Sequence, residues 1–267
     1  MLFKTFHIPF PETWIDDAEV VEKEQLALDA LTSYLQQYGD QTAAFIAEPL
    51  IQGASGMRFC RPGFLNAVLK KIREHGILII LDEVMTGFGR TGTLFAFEQL
   101  DVKPDLLCLS KGLTGGFLPM AVTIAQSFIY ESFLGERFDK ALAHGHSYTA
   151  NPLGCAAAIA SLKLFSEEQS LKKIAALSVV HATRLPELLR YAHVKAIRTL
   201  GSIAAFNLQD PKNNYQFAIG QSMREAFLER GLLIRPLGNT IYLMPPYCTS
   251  VTELHEVYDK IQTVIKE

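Results

Sequence analysis

Two charged residues, each set at the end of an apolar run, are where this sequence could do chemistry. Ile77 to Leu81 ends in Asp82, and Pro104 to Leu109 leads through Ser110 into Lys111. Both runs read as buried strands that present a charge at their carboxyl ends, the edge where ligands bind in open α/β sheets. An acid and a lysine held there, one strand apart, suit pyridoxal phosphate. That cofactor needs an amine for a Schiff base and a carboxylate to keep its ring nitrogen protonated. Lys111 would hold the aldehyde and Asp82 would pair with the pyridinium. Taken singly, each residue has an ordinary reading: strand-end aspartates cap turns, and most lysines are solvated. Finding the two together, each followed by a glycine-rich loop, weakens that reading.

The elements that must position this pair come from a chain of ample size. It has 267 residues, 49% hydrophobic content and a formal net charge of −3. That is enough for one large or two smaller domains. The near-balanced charge offers no basic footprint, so nucleic acid is not an expected partner. The apolar run Ile77 to Leu81 is far too short to span a bilayer, and the first residues do not read as a signal peptide. Cys60, Cys108, Cys155 and Cys248 form no CxxC pair. Neither zinc nor a disulfide framework is indicated, and a reduced cytoplasm fits. Cys108 and Cys155 sit in apolar or small-residue runs and read as core thiols.

In chain order, Pro9 and Pro11 mark an extended leading segment. A helix is expected from Val20 to Tyr38, with Val21, Leu28, Leu31 and Leu35 near helical spacing. Ala43 to Leu50 reads as a buried strand, with Glu48 as a third acid on the same edge. Pro62 opens a helix whose stripe is Leu65, Val68, Leu69 and Ile72, closed by His75-Gly76. The order β-α-β up to Asp82 implies a parallel pair. Phe117 to Ala125 reads as a strand returning antiparallel, because the connection after Lys111 is too short for a helical crossover. Ser127 to Phe133 looks helical, as does the stretch after Pro152. Composition shifts near Ser166. A second unit is expected there, with a strand over Ile203 to Leu208 and a helix over Tyr215 to Arg230. Two short strands should follow, joined by a turn at Gly238-Asn239. A last helix places Val251, Leu254, Val257, Ile261 and Val264 on one face.

Three other features invite a functional reading. Gly87, Gly89 and Gly92 match the dinucleotide pattern G-x-G-x-x-G, but Asp82 and Glu83 would repel a pyrophosphate, and no strong helix cap follows. His144 and His146 have no third ligand near and do not make a metal site. Ser147 and Thr149 offer hydroxyls just before a helix, which suits a phosphate or simple capping. Arg235, set in an apolar stretch, needs an anionic partner, which could be a substrate carboxylate or one from the protein.

The segments AEPLIQGASGM, GILIILDEVMTGFGRTG, PDLLCLSKGLTGG and HGHSYTANPLGCAAA resemble those of the class III aminotransferases. HGHSYT with RPLGNTIYLMPPYC points to the branch that serves biotin biosynthesis. The resemblance runs from about Ala43 onwards. It implies an α/β fold of the fold-type I pyridoxal-phosphate transferases: a partial large domain with a mainly parallel sheet (1–165) and a smaller C-terminal α/β domain (166–267). It implies that Asp82 and Lys111 are catalytic and bind the cofactor. His146 and Ser147 fall at phosphate-contact positions that reach the neighbouring subunit of a homodimer. Gly145 and Arg235 fall at substrate-contact positions. The implied reaction carries an amino group from S-adenosylmethionine or lysine to the ketone of 8-amino-7-oxononanoate. Other class III ω-aminotransferases read a different carboxylate with the same arginine. The family's chains are longer at the N-terminus. The expectation is therefore a fragment, a truncated product or one half of a split enzyme. Its unpaired sheet edges and apolar surface would be exposed unless a separate N-terminal chain covers them.

Overall fold

A computed structural model describes residues 4–209 and 216–266, with the backbone alone for 216–219. The N-terminal half is built on four strands, β1 (Ala44–Ala47), β4 (Leu78–Asp82), β5 (Leu106–Leu109) and β6 (Val122–Ala125), in the order β1-β4-β5-β6. β1 and β4 pair parallel, as do β4 and β5, while β6 returns antiparallel. A small antiparallel pair, β2 (Ile51–Gln52) and β3 (Arg58–Phe59), follows β1.

Helices α1 (Val20–Tyr38) and α2 (Pro62–Glu74) belong to the same core as the inward residues Ile79, Leu81, Leu107 and Leu109. Arg61 stands before Pro62 in extended backbone, and proline in the first turn gives up an N–H that would be unpaired anyway. The α2 stripe is as expected, with Phe64 added. In α1 the buried residues are Ala27, Leu31 and Leu35, whereas Val21 stands in solvent. The expected strand over Ala43 to Leu50 is shorter and only half-covered. β1 is the edge of the sheet, its outer face is open, and Ile46 is 63% exposed. The strand expected from Phe117 is regular only from Val122, because Gly115 and Gly116 are still turning at positive φ.

Past β6, α3 (Ser127–Ser132) is short, and residues 130–150 are exposed throughout. Helix α4 (Pro152–Glu167) is capped by Asn151, whose side-chain oxygen accepts from the Gly154 N–H at 2.7 Å. A second core lies under an antiparallel sheet β7-β8-β9: β7 (Val194–Leu200), β8 (Ile203–Leu208) and β9 (Thr240–Leu243). It is covered by α5 (Ser170–Arg184) and α7 (Val251–Lys266), and α6 (Gln216–Glu229) packs on α7. The α7 face is Leu254, Tyr258, Ile261, Val264 and Ile265, with Val257 at its margin and Val251 in solvent. Of the two strands expected around Gly238-Asn239 only β9 forms. Leu232 to Pro236 is irregular, tied by a single bridge from Leu237 to Thr240. No helix among the described residues is long and apolar enough to cross a membrane.

Candidate active site

β4 and β5 run parallel in a register that pairs Ile80 with Leu106, Leu81 with Leu107 and Asp82 with Cys108. Lys111 follows Cys108 by three residues and opens a turn of 3-10 helix, Lys111–Thr114. That reversal is held from several sides. Ser110 Oγ donates to the Met120 carbonyl at 2.8 Å, tying the two arms together. Ser161 Oγ, on α4, reaches the Gly112 carbonyl at 3.4 Å. Phe88 packs so closely on Gly112 that a side chain there would run into its ring. Lys111 itself is exposed, and its amine has no hydrogen bond or ion pair among the described residues.

Asp82 is half-buried, and its Oδ1 accepts from the Val84 N–H at 3.0 Å. Glu48, just past β1, is also half-buried and accepts from the Gly53 N–H at 3.0 Å. Burial raises the Glu48 carboxyl above its ordinary range. The charge of Asp82 adds to the rise, while the Gly53 bond and Lys111 oppose it. Glu48, Asp82 and Lys111 therefore share one electrostatic neighbourhood, as expected of three charges on one sheet edge. Cys108 is not the core thiol expected: it lies half-exposed beside Asp82, its pKa raised by burial and then by that charge. Cys155 is half-exposed too, and the core thiol is Cys60, which burial pushes up to about 12.

The loop after Asp82 is a joint. Glu83, with 0% exposure, accepts from the backbone N–H groups of Ala96 and Phe97 at 2.7 and 2.8 Å and so pins the far end of the loop. Arg90 donates to the Pro245 carbonyl at 2.8 Å and stacks over Tyr247, whose hydroxyl donates to the Phe88 carbonyl at 2.7 Å. Gly201 lies against the backbone of Thr91 and Gly92. The glycine pattern thus serves close backbone packing against the second core. Nothing local in the sequence marks Glu83 as a fully buried peg, although its place after a strand-end acid is visible.

The remaining sequence candidates lie on other segments of the chain. Gly145, His146 and Ser147 are exposed. The His146 N–H donates to Thr149 Oγ1 at 3.0 Å, so the threonine hydroxyl is occupied, and Asn151 does the capping. Ser147 has no hydrogen bond among the described residues. Arg235 is exposed in an irregular segment, with no carboxylate partner among them. No hydrogen bond or ion pair among the described residues links His146, Ser147 or Arg235 to Asp82 or Lys111. The described residues gather no group of three His, Cys, Asp or Glu for a metal ion.

The donor set at the strand ends fits pyridoxal phosphate. Among the described residues Asp82 keeps Oδ2 free of hydrogen bonds, and the Lys111 amine makes no hydrogen bond or ion pair. The fold has its likeness among solved transaminases. One is the adenosylmethionine-8-amino-7-oxononanoate aminotransferase of Methanocaldococcus jannaschii, at a TM-score of 0.84 and 37% identity over 90% of this chain and 57% of that one. Another is an (S)-enantioselective ω-transaminase of Thermomicrobium roseum, at 0.88 and 28% identity over 98% and 60%. These define a pyridoxal-phosphate fold-type I transferase.

The chain belongs to the class-III aminotransferase family, whose model matches residues 1–265. The match thus reaches well ahead of Ala43, where the motifs become recognisable. Among curated relatives, adenosylmethionine-8-amino-7-oxononanoate aminotransferase of Synechococcus elongatus is 47% identical over 267 residues, all of this chain and 62% of that protein. The namesake from Helicobacter pylori is 37% identical over 273 residues, all of this chain and 60% of its own length. The chain spans about three-fifths of the curated relatives it matches.

Proposed function

We propose that the chain carries the acid and lysine of a pyridoxal-phosphate aminotransferase acting in biotin biosynthesis in the cytoplasm. The amino group would pass from S-adenosylmethionine or lysine to the ketone of 8-amino-7-oxononanoate. The observation that carries the reading is the parallel register of β4 and β5, with Asp82 at the end of one strand and Lys111 exposed just past the other. The names of the relatives supply the substrate.

Bound at this edge, pyridoxal phosphate supplies an electron sink for the carbon that loses a proton. Asp82 presents a fixed carboxylate for the protonated ring nitrogen. Its backbone ladder and the Val84 N–H keep it from turning away. The Lys111 amine would hold the cofactor's aldehyde and would serve as the general base and acid that moves the proton at the substrate carbon. Arg235, with no acid partner among the described residues, would take the substrate carboxylate in a two-pronged grip. Gly145 leaves room beside the substrate. His146 and Ser147 would serve the phosphate of the neighbouring subunit in a homodimer, which accords with their exposure and with the absence of a hydrogen bond to Ser147 among the described residues. The division of labour falls near residue 166, with the cofactor on residues 1–165 and the substrate carboxylate on 166–267. The open face of β1-β4-β5-β6 would take its cover from further polypeptide, in the same chain or a separate N-terminal one. A different class III ω-aminotransferase is the second reading, favoured by the likeness to the Thermomicrobium roseum enzyme.

The test is visible absorbance of the chain mixed with pyridoxal phosphate, then borohydride and peptide mass spectrometry. Reduction should fix the cofactor on Lys111, and a substrate panel then separates the two readings. Labelling scattered over surface lysines would count against the assignment.

A further inference from the structure

A cleft of about 300 Å³ lies between the leading segment and the β7-β8 sheet, lined by Glu12, Thr13, Trp14, Lys195, Ala196, Arg198 and Asn207. Its walls are fixed. The Thr13 N–H donates to the Phe59 carbonyl at 2.8 Å and the Ile15 N–H to the Ile197 carbonyl at 2.9 Å. Lys23 Nζ, paired with Asp17, sits 3.8 Å from the centre of the Trp14 ring. On the other side, the β7-β8 register shifts between Lys195 and Arg198, and Ala196 adopts φ +49°. Such a bulge re-aims the side chains beside it.

Arg198 is the unusual member, at 5% exposure. Its guanidinium donates to the carbonyls of Met57 (2.6 Å), Ala196 (2.6 Å) and Gly56 (2.8 Å) and to Asn207 Oδ1 (2.9 Å). All four acceptors are neutral, and one of its five N–H groups has no acceptor among the described residues. Glu12, the acid on this wall, is bound by Arg58 at 2.8 Å. Carbonyl dipoles satisfy hydrogen bonds but carry no charge, and Glu12, which also serves Arg58, offsets the buried guanidinium only in part, which is costly. Burial draws the guanidinium down to about 10, in keeping with that deficit. Lys195 adds a second positive charge, and a concave wall focuses such a field on small anions. The volume is at the lower end for small-molecule sites.

We propose that this cleft binds a small aromatic carboxylate, its charge held between Arg198 and Lys195 and its ring against Trp14. The site is separate from the Asp82–Lys111 pair and does not rest on the function proposed above.

Trp14 is the only tryptophan of the chain, so its emission reports this cleft and nothing else. Titration of the full chain with sodium benzoate, against sodium chloride at matched ionic strength, should give a saturable change. Asn207→Asp keeps the shape but sets a carboxylate against Arg198. It should weaken benzoate at least tenfold while raising the melting temperature. Lys195→Glu, a surface change that leaves the core untouched, should weaken benzoate at least threefold without that gain. Inorganic phosphate, which has charge but no ring, should bind at least tenfold more weakly than benzoate. Quenching that never saturates overturns the proposal, as does equal affinity in wild type and Asn207→Asp. Phosphate binding as tight as benzoate overturns the role of Trp14.

Discussion

Asp82 and Cys108 stand side by side across the parallel ladder that joins β4 to β5. Backbone hydrogen bonds fix that pairing, so the span from Asp82 to Lys111 is set by three residues of chain beyond Cys108 and not by the long loop between the strands. Both charges reach the same sheet edge because both strands point the same way.

Asp82→Asn removes the negative charge while keeping the side chain's shape. Pyridoxal phosphate should bind about ten- to a hundredfold more weakly, the size expected when a hydrogen bond to a charged group loses about 1.5–3 kcal/mol. Titration of the visible absorbance reads this, with the urea midpoint as a control for folding. Unchanged cofactor affinity would remove Asp82 from the site.

Glu48 has a carboxyl raised above its ordinary value near 4.5, chiefly by burial. The folded chain therefore holds this proton more tightly than the unfolded chain. Its contribution to stability is greatest below about 4.5 and is lost as pH rises through the folded value. Glu48→Gln should flatten that part of the pH profile of the urea midpoint and leave the chain more stable at pH 7 relative to wild type. A profile identical to wild type would contradict the assigned direction.

Asp105 is buried at the start of β5. It accepts from the Ile79 N–H at 2.7 Å and from Arg73 at 2.7 Å. Asp105→Ala strands a buried backbone donor of β4 and should destabilise the chain by about 1–3 kcal/mol. Denaturant unfolding measures the loss. Borohydride labelling at Lys111 should fall with it, since the same residue aligns the two strands of the site.

His181 has 0% exposure, and its Nδ1 lies 2.8 Å from the Tyr258 hydroxyl. Burial pulls its pKa from 6.5 to about 4. The unfolded chain takes up this proton first, so stability is lost as pH falls from 6.5 towards 4, by up to about 3 kcal/mol. His181→Leu should cost about 1 kcal/mol at neutral pH by stranding the tyrosine hydroxyl. It should also reduce the acid sensitivity. A melting temperature that falls with acid as steeply as in wild type would contradict this.

The charged pair is legible in the sequence because a short apolar run that stops abruptly at an acid or a lysine marks a strand and its end in one stroke. α2 is legible from its proline and its stripe. β7 is not: Lys195 and Arg198 interrupt its alternation, and the bulge between them breaks the period of two. β1 reads as buried because its composition suits a covered strand. In this chain it is an edge, and what lies beside a strand is decided by tertiary structure, not by its own residues. The segment before β9 is apolar enough for a strand, yet Pro236 has no N–H to give a ladder. The roles of Cys108 and Glu83 are hidden for another reason. One depends on strand register and the other on a loop folding back, and neither leaves a local pattern.

The reversal at Lys111 has a consequence for the order in which the site comes together. β5 and β6 are near neighbours along the chain, and the ring closed by their pairing is small. The β4-β5 ladder closes a ring roughly twice as long, at an entropic cost of roughly half a kcal/mol more. Local closures tend to precede distant ones. The lysine thus belongs to a hairpin that can form early, and the aspartate arrives when β4 zips onto it. A full-length chain folding from the unfolded state would set the amine in place before the acid that gives it a use.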